Sequence, residues 1–189
     1  MSKVKIQGNA SGTGVLTIAA PNTNTDRTIT LPDGTGTLLT SVSSSDMPAG
    51  SVLQVVSVTY STAVQTGSDS FTDTGLSASI TPSSASSKIL VIVGQPLSIS
   101  VDTTSYRDIA FNIVRGSTEI IKGYGWIKSP SSSSHKRISA ANCLNYLDSP
   151  STTSSTTYKT QFKVNAGSCD VYANQDGGSS TITLMEIAG

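Results

Sequence analysis

KILVIVGQPLSIS, residues 88–100, begins with a run that is apolar from Ile89 to Val93. An unbroken, β-branched run of this kind reads as a strand at the centre of a sheet, covered on both faces. Working outward from it, similar runs recur at SVLQVVSVTYS (51–61), GLSASIT (75–81), RDIAFNIVRG (107–116), TEIIKGYGWI (118–127), RISAANCLNYL (137–147), TTYKTQFKVNA (156–166), CDVYANQ (169–175) and STITLMEIA (180–188). About nine strands at this spacing predict an all-β fold, a β-sandwich or jelly roll. SSASS, DTTS, SPSSSS, SPSTTSS and QDGG supply the turns, and RGST at 115–118 predicts a two-residue hairpin. In YKTQFKV, Tyr158, Phe162 and Val164 alternate with Lys159, Gln161 and Lys163, which marks a half-buried edge or face strand. AANCLNYL also fits a helical face through Ala140, Cys143, Leu144 and Leu147, but its surroundings favour a strand.

Composition agrees. Roughly three residues in ten are Ser or Thr and 13% are charged, with few of the residues that favour long helices. At 189 residues and 19.4 kDa, the chain holds one domain of ordinary size plus a small appendage. Twelve basic and 12 acidic residues give a net charge of +0, so no global field draws nucleic acid or an anionic membrane. A neutral chain with a pI near 6.5 has little self-repulsion and tends to associate. Cys143 and Cys169 are too few for a disulfide framework and read as reduced core residues. Met1-Ser-Lys-Val-Lys leads into polar sequence rather than an apolar segment, so neither a signal peptide nor membrane insertion is expected.

The N-terminal part has shorter apolar alternations. GVLTIAAP (14–21), RTITLP (27–32) and GTLLT (36–40) are separated by PNTNTD and PDGTG turns. SVSSSDMPAG, residues 41–50, reads as a linker, which sets an arm at 1–46 against a C-terminal domain at 47–189. Strands this short bury too little to offset their own chain entropy. Leu16, Ile18, Ile29, Leu31 and Leu38 are therefore expected to be buried between subunits.

The order GTGVLTIAAPNTNTDRTITLPDGTGTLLT, residues 12–40, resembles a short module of fibre and appendage proteins of tailed bacteriophages. The rest of the chain is more loosely similar to the C-terminal β-domains of such proteins. The resemblance implies a virion structural protein, usually a homotrimer. Its arm would lie against neighbouring subunits or other virion proteins, with the C-terminal domain displayed as a knob. It implies a short fibre, spike or decoration protein, found in the virion and assembled in the host cytoplasm. A carbohydrate- or receptor-binding tail-fibre module is the alternative. A polysaccharide-degrading tailspike fits less well, because the chain lacks the length and repeat period of such scaffolds.

Few residues suggest chemistry. No nucleophile elbow, Walker loop, zinc motif or dinucleotide fingerprint is present, so the chain is read as a non-enzyme with no cofactor and no metal. His135, the single histidine, has no partner to share a metal and falls in a Ser-rich loop. Asp69 with Asp73, and Asp102 with Asp108, are read as turn carboxylates, with Ca²⁺ or glycan binding the sharper alternative. The feature that stands out is GYGWI: on a strand, Lys122, Tyr124 and Trp126 share one face. That platform suits packing against a partner subunit or stacking on a host glycan. His135, Lys136 and Arg137 form a small basic patch on the adjoining loop. Asn9-Ala-Ser11 matches a glycosylation acceptor by chance.

Overall fold

The computed structural model describes residues 47–101, 106–128, 136–166 and 169–189, together with 11–13, 24–26 and 28. The chain divides into two units, Met1–Leu38 and Leu39–Gly189, and every element below belongs to the second. The strands expected at 14–21, 27–32 and 36–40 fall almost wholly outside the described residues, as does the linker up to Asp46.

Ten strands are described: β1 (Val52–Tyr60), β2 (Val64–Thr66), β3 (Thr72–Ile80), β4 (Lys88–Val101), β5 (Tyr106–Arg115), β6 (Thr118–Lys128), β7 (Lys136–Asp148), β8 (Thr156–Ala166), β9 (Asp170–Ala173) and β10 (Ser180–Ile187). They make two antiparallel sheets. The first runs β1-β10-β4-β9-β2, with β7 on the other side of β4, and the second runs β3-β8-β5-β6. This is the β-sandwich that the spacing of apolar runs predicts. The pairing is nested: β5 with β6, then β4 with β7, then β3 with β8, then β1 with β10. Only β2, three residues long, has no counterpart in the sequence reading, because VQT carries too little apolar pattern to register.

Between the sheets, Leu76 and Ile80 of β3, Ile89, Val91 and Val93 of β4, Ile113 of β5, Tyr158 and Phe162 of β8 and Ile182 and Leu184 of β10 form one core. Each fully buried aliphatic side chain contributes on the order of 1.5–3 kcal/mol. AANCLNYL is strand, within β7, and RGST is the β5–β6 hairpin. Gly116 takes φ +59° at the first central position, where a left-handed residue lets the turn match the strand twist.

Strand β4 is the organiser. It pairs with β7 from Ile89 to Val101, and on its other side with β10 from Lys88 to Gly94 and with β9 from Leu97 to Ser100. Pro96 occupies the gap between those two partners, and its carbonyl accepts from Asn174 N–H at 3.3 Å. A proline's missing donor is tolerated in a central strand only at such a break.

Two expectations are corrected here. KILVIV was expected to be covered on both faces, yet only Ile89, Val91 and Val93 are buried; Leu90 is half-buried and Ile92 is 37% exposed. A two-layer sandwich covers one face of each sheet, so the alternate residues of β4 face outward. Cys143 was expected in the core but is exposed on β7, one position out of phase with inward Leu144. In addition β8 is an interior strand, hydrogen-bonded to both β3 and β5.

Polar clamps join the layers. Asp148, almost fully buried at the end of β7, accepts from Arg115 Nη1 at 2.9 Å and from the Tyr158 hydroxyl at 2.7 Å, linking β7 of the first sheet to β5 and β8 of the second. Glu186 of β10 is fully buried and accepts from Gln54 Nε2 at 2.6 Å and from both the backbone N–H and hydroxyl of Ser83 at 2.7 Å. Burial pushes the Glu186 carboxyl up, but the hydrogen bonds from Ser83 and Gln54 outweigh it and hold the group below its ordinary 4.5. A depressed carboxyl stabilises the fold above its unfolded pKa, and that contribution is lost as pH falls through the folded value. Glu186→Gln is expected to cost about 1–3 kcal/mol at neutral pH and to flatten the decline in urea stability below pH 4.5. An unchanged acid limb would remove Glu186 as its source.

Gly75 in β3 has φ +89°, and a Cβ there would lie 2.4 Å from the Tyr60 ring. Both constraints select glycine. Gly75→Ala should cost about 2–3 kcal/mol and lower Tm by roughly 4–12 °C. A Tm within a degree of wild type would show that the ring moves aside freely.

Candidate functional site

The β5–β6 ladder sets Lys122 opposite Asn112, Tyr124 opposite Ala110 and Trp126 opposite Asp108. Because Ile109, Phe111 and Ile113 point into the core, this second set of positions lies on the outer face of the second sheet. The face expected for Lys122, Tyr124 and Trp126 is therefore a solvent face on an edge strand. Tyr124 is 58% exposed, and the Trp126 side chain lies outside the described residues. Behind them Gly123 leaves room for Leu144 of β7: a Cβ on Gly123 would come within 3.1 Å of Leu144 Cδ2.

That outer face is dense with charge. Glu119 Oε1 meets Lys122 Nζ at 2.9 Å, and Glu119 Oε2 accepts from Asn112 Nδ2 at 2.7 Å. Lys122 and Lys163 hold their ammoniums 5.4 and 5.3 Å from the centre of the Phe71 ring, which arrives from the β2–β3 loop. Asp73 accepts from Lys159 at 2.8 Å and from Gln161 at 2.7 Å. Burial raises the Asp73 carboxyl, but those two donors overcome it and leave the group below 3.8. Hydrogen bonding to Glu119 in turn raises the Lys122 ammonium above 10.5. Asp108, 5% exposed, accepts from Asn165 Nδ2 at 2.7 Å through Oδ2, while its Oδ1 is buried without a partner.

The outer face of the first sheet is the opposite in character. Register aligns Val55 of β1 with Met185 of β10, Met185 with Leu90 of β4, and Leu90 with Leu147 of β7. One apolar row therefore crosses four strands. Val52 and Ile187 extend it on one side and Ile92 on the other. Val52, Val55 and Leu147 are 52%, 54% and 47% exposed. No charged residue belongs to the row; Lys88 borders it, opposite Ile187.

A scan against protein-family models finds no match, and no curated protein matches the chain. Among solved structures, the chain is similar to infectious bursal virus derived T=1 particles, at 8% identity and TM-score 0.29 over 72% of this chain and 36% of that one. It is also similar to the Gx strain of infectious bursal disease virus, at 12% identity and TM-score 0.30, covering 75% and 39% of the two chains. The VP2 subviral particle of that virus matches at 12% identity and TM-score 0.28, covering 71% and 38%. The chain thus spans under two fifths of the length of these proteins. With scores of this size, the fold assignment rests on the strand pairing above.

The expected binding residues separate onto two faces. Lys122 and Tyr124 lie on the outer face of the second sheet. Arg137 is a β7 residue opposite Ser100, on the outer face of the first sheet, where it pairs with Asp176 at 2.9 Å and lies 5.5 Å from the Tyr172 ring centre. Lys136 also belongs to β7, opposite Val101, so the two residues expected in a loop form the start of a strand. His135, Asp102, Leu16, Ile18, Ile29, Leu31 and Leu38 lie outside the described residues. Asp69 is engaged locally, accepting from Ser70. Among the described residues no three His, Cys, Asp or Glu side chains gather as metal ligands. The row from Val55 to Leu147 was missed in the sequence reading. Its signal is the second apolar phase in VLQVV, KILVI and TLMEI, which one core cannot absorb.

Proposed function

We propose that the chain is a structural protein of a bacteriophage virion, a homotrimeric short fibre, spike or decoration subunit. In this reading its subunits meet through the outer face of the first sheet. The apolar row Val55–Met185–Leu90–Leu147 carries the proposal. Exposed apolar patches of this continuity mark association surfaces, whereas the second sheet's outer face is laced with paired charge. Around a threefold axis the uncharged rows of the three subunits meet without stranding any charge from the row, and the chain's net charge of +0 adds no repulsion.

The arm supports the same reading. Residues 12–40 resemble the phage appendage module, and Leu16, Ile18, Ile29, Leu31 and Leu38 supply apolar positions for contacts with neighbouring subunits or other virion proteins. Nested two-sheet wiring is shared by jelly rolls of viral capsids and by lectins, so the fold is compatible with the role without selecting it. The proposed role is structural rather than catalytic, and its place is the virion. Light scattering of the full chain at micromolar concentration should give three times the 19.4 kDa chain mass. A folded species of single-chain mass would overturn the reading.

A further inference from the structure

We infer that the outer face of the β5–β6 hairpin binds a neutral saccharide, with Tyr124 as the stacking surface and Asp108 Oδ1 as the hydroxyl acceptor. The inference starts from an unmet demand. Asp108 is 5% exposed, and its Oδ1 is buried with no hydrogen-bond partner, although its Oδ2 is held by Asn165. Four residues along β5, Asn112 is 1% exposed and its Oδ1 is likewise without a partner, although its Nδ2 is held by Glu119. Buried acceptors are nearly always satisfied, and each orphan costs on the order of 1–3 kcal/mol. Here two orphans sit on the same outer face, each with its other end fixed, so both oxygens are held in place.

Between them lies Ala110, fully buried, and across the ladder from Ala110 is Tyr124, 58% exposed. Tyr124 is thus a diagonal neighbour of both acceptors, at about 7–8 Å. An exposed ring beside fixed hydroxyl acceptors matches a pyranose, which offers an apolar ring face and a rim of hydroxyl donors. The acceptors also define the class of sugar. Asp108 presents a carboxylate oxygen, which repels an acidic sugar and takes a hydroxyl donor. Lys122 is already committed to Glu119 at 2.9 Å. Asp108 Oδ1 is closed to solvent, so the incoming hydroxyl has to displace a flanking side chain. Tyr124, exposed and diagonal to Asp108 across the ladder, is the neighbour that can yield, while Asn165 keeps its hold on Oδ2.

This site is on the sheet face opposite the proposed subunit contact and does not depend on it. Saturation-transfer NMR on the full chain, with methyl glycosides of glucose, galactose and mannose as probes and N-acetylneuraminic acid as the acidic comparison, tests it directly. The expected result is transfer to the ring protons of at least one neutral glycoside. Tyr124→Ala and Asp108→Asn should each weaken that binding at least tenfold, with strand content and solution mass at wild-type values. No transfer from any neutral probe would overturn the inference. Stronger transfer to N-acetylneuraminic acid would overturn it too, as would binding that survives both substitutions. Solution mass, read on the same samples, reports separately on assembly.

Discussion

Val55→Glu should break the assembled protein into single chains. Val55 stands in the apolar row on β1, 54% exposed in the single chain, so its replacement leaves the core of the sandwich untouched. Between uncharged rows, the new carboxylate would lose its water without gaining a partner. A penalty of about 2–4 kcal/mol per contact corresponds to roughly 30- to 1,000-fold weaker association. Sedimentation velocity at micromolar concentration should show the single-chain species, and circular dichroism should show the same strand content. Val55→Thr, similar in shape and uncharged, should stay assembled. If the Glu variant sediments like wild type, the row is not a subunit contact.

Asp148→Ala should be the most damaging substitution within one chain. It strands the hydroxyl of the fully buried Tyr158, held at 2.7 Å, and takes from the Arg115 guanidinium its carboxylate partner at 2.9 Å, leaving it water and the Ser149 carbonyl. With the arginine side chain 28% exposed, the loss costs about 2–4 kcal/mol, which lowers Tm by roughly 4–16 °C. Tyr158→Phe removes a single donor and should cost about 1–2 kcal/mol. Burial, and then the neighbouring Asp148 carboxylate, push the Tyr158 hydroxyl well above its ordinary 10.0. A group raised on folding stabilises the fold fully below its unfolded pKa and loses that contribution as pH rises above it. Stability should therefore fall above pH 10, and Tyr158→Phe should remove that alkaline component. Equal alkaline limbs in the two proteins would rule the tyrosine out.

Much of the sandwich was legible because period-two alternation and turn chemistry are local signals. KTQFKV announces one buried and one solvated face, and Lys159, Gln161 and Lys163 do form the charged surface on β8. RGST announces its hairpin because only glycine enters the required turn at low cost. KILVIV misled because an apolar run shows that both faces avoid water, not what covers them. Buried sheet and subunit contact look alike in sequence. The two outer faces were illegible for a related reason. Which of Lys122, Tyr124 and Arg137 share a surface depends on pairing between distant strands, and Arg137 follows β7 onto the first sheet although it neighbours the β6 residues in sequence. Asp108 looked like a turn carboxylate beside TTSYR. Only the register of β5, which seats it next to a core position, reveals its buried and unmatched oxygen.

The most direct test of a covered first-sheet face is methyl NMR of the full chain with a soluble paramagnetic agent, following the methyl groups of Val52, Val55, Leu90, Ile92 and Leu147. If subunits meet there, these methyls are shielded at micromolar concentration and become accessible on dilution, as do those of Val52, Leu90, Ile92 and Leu147 in Val55→Glu. Broadening at every concentration, to the degree set by their exposure in one chain, would contradict the account.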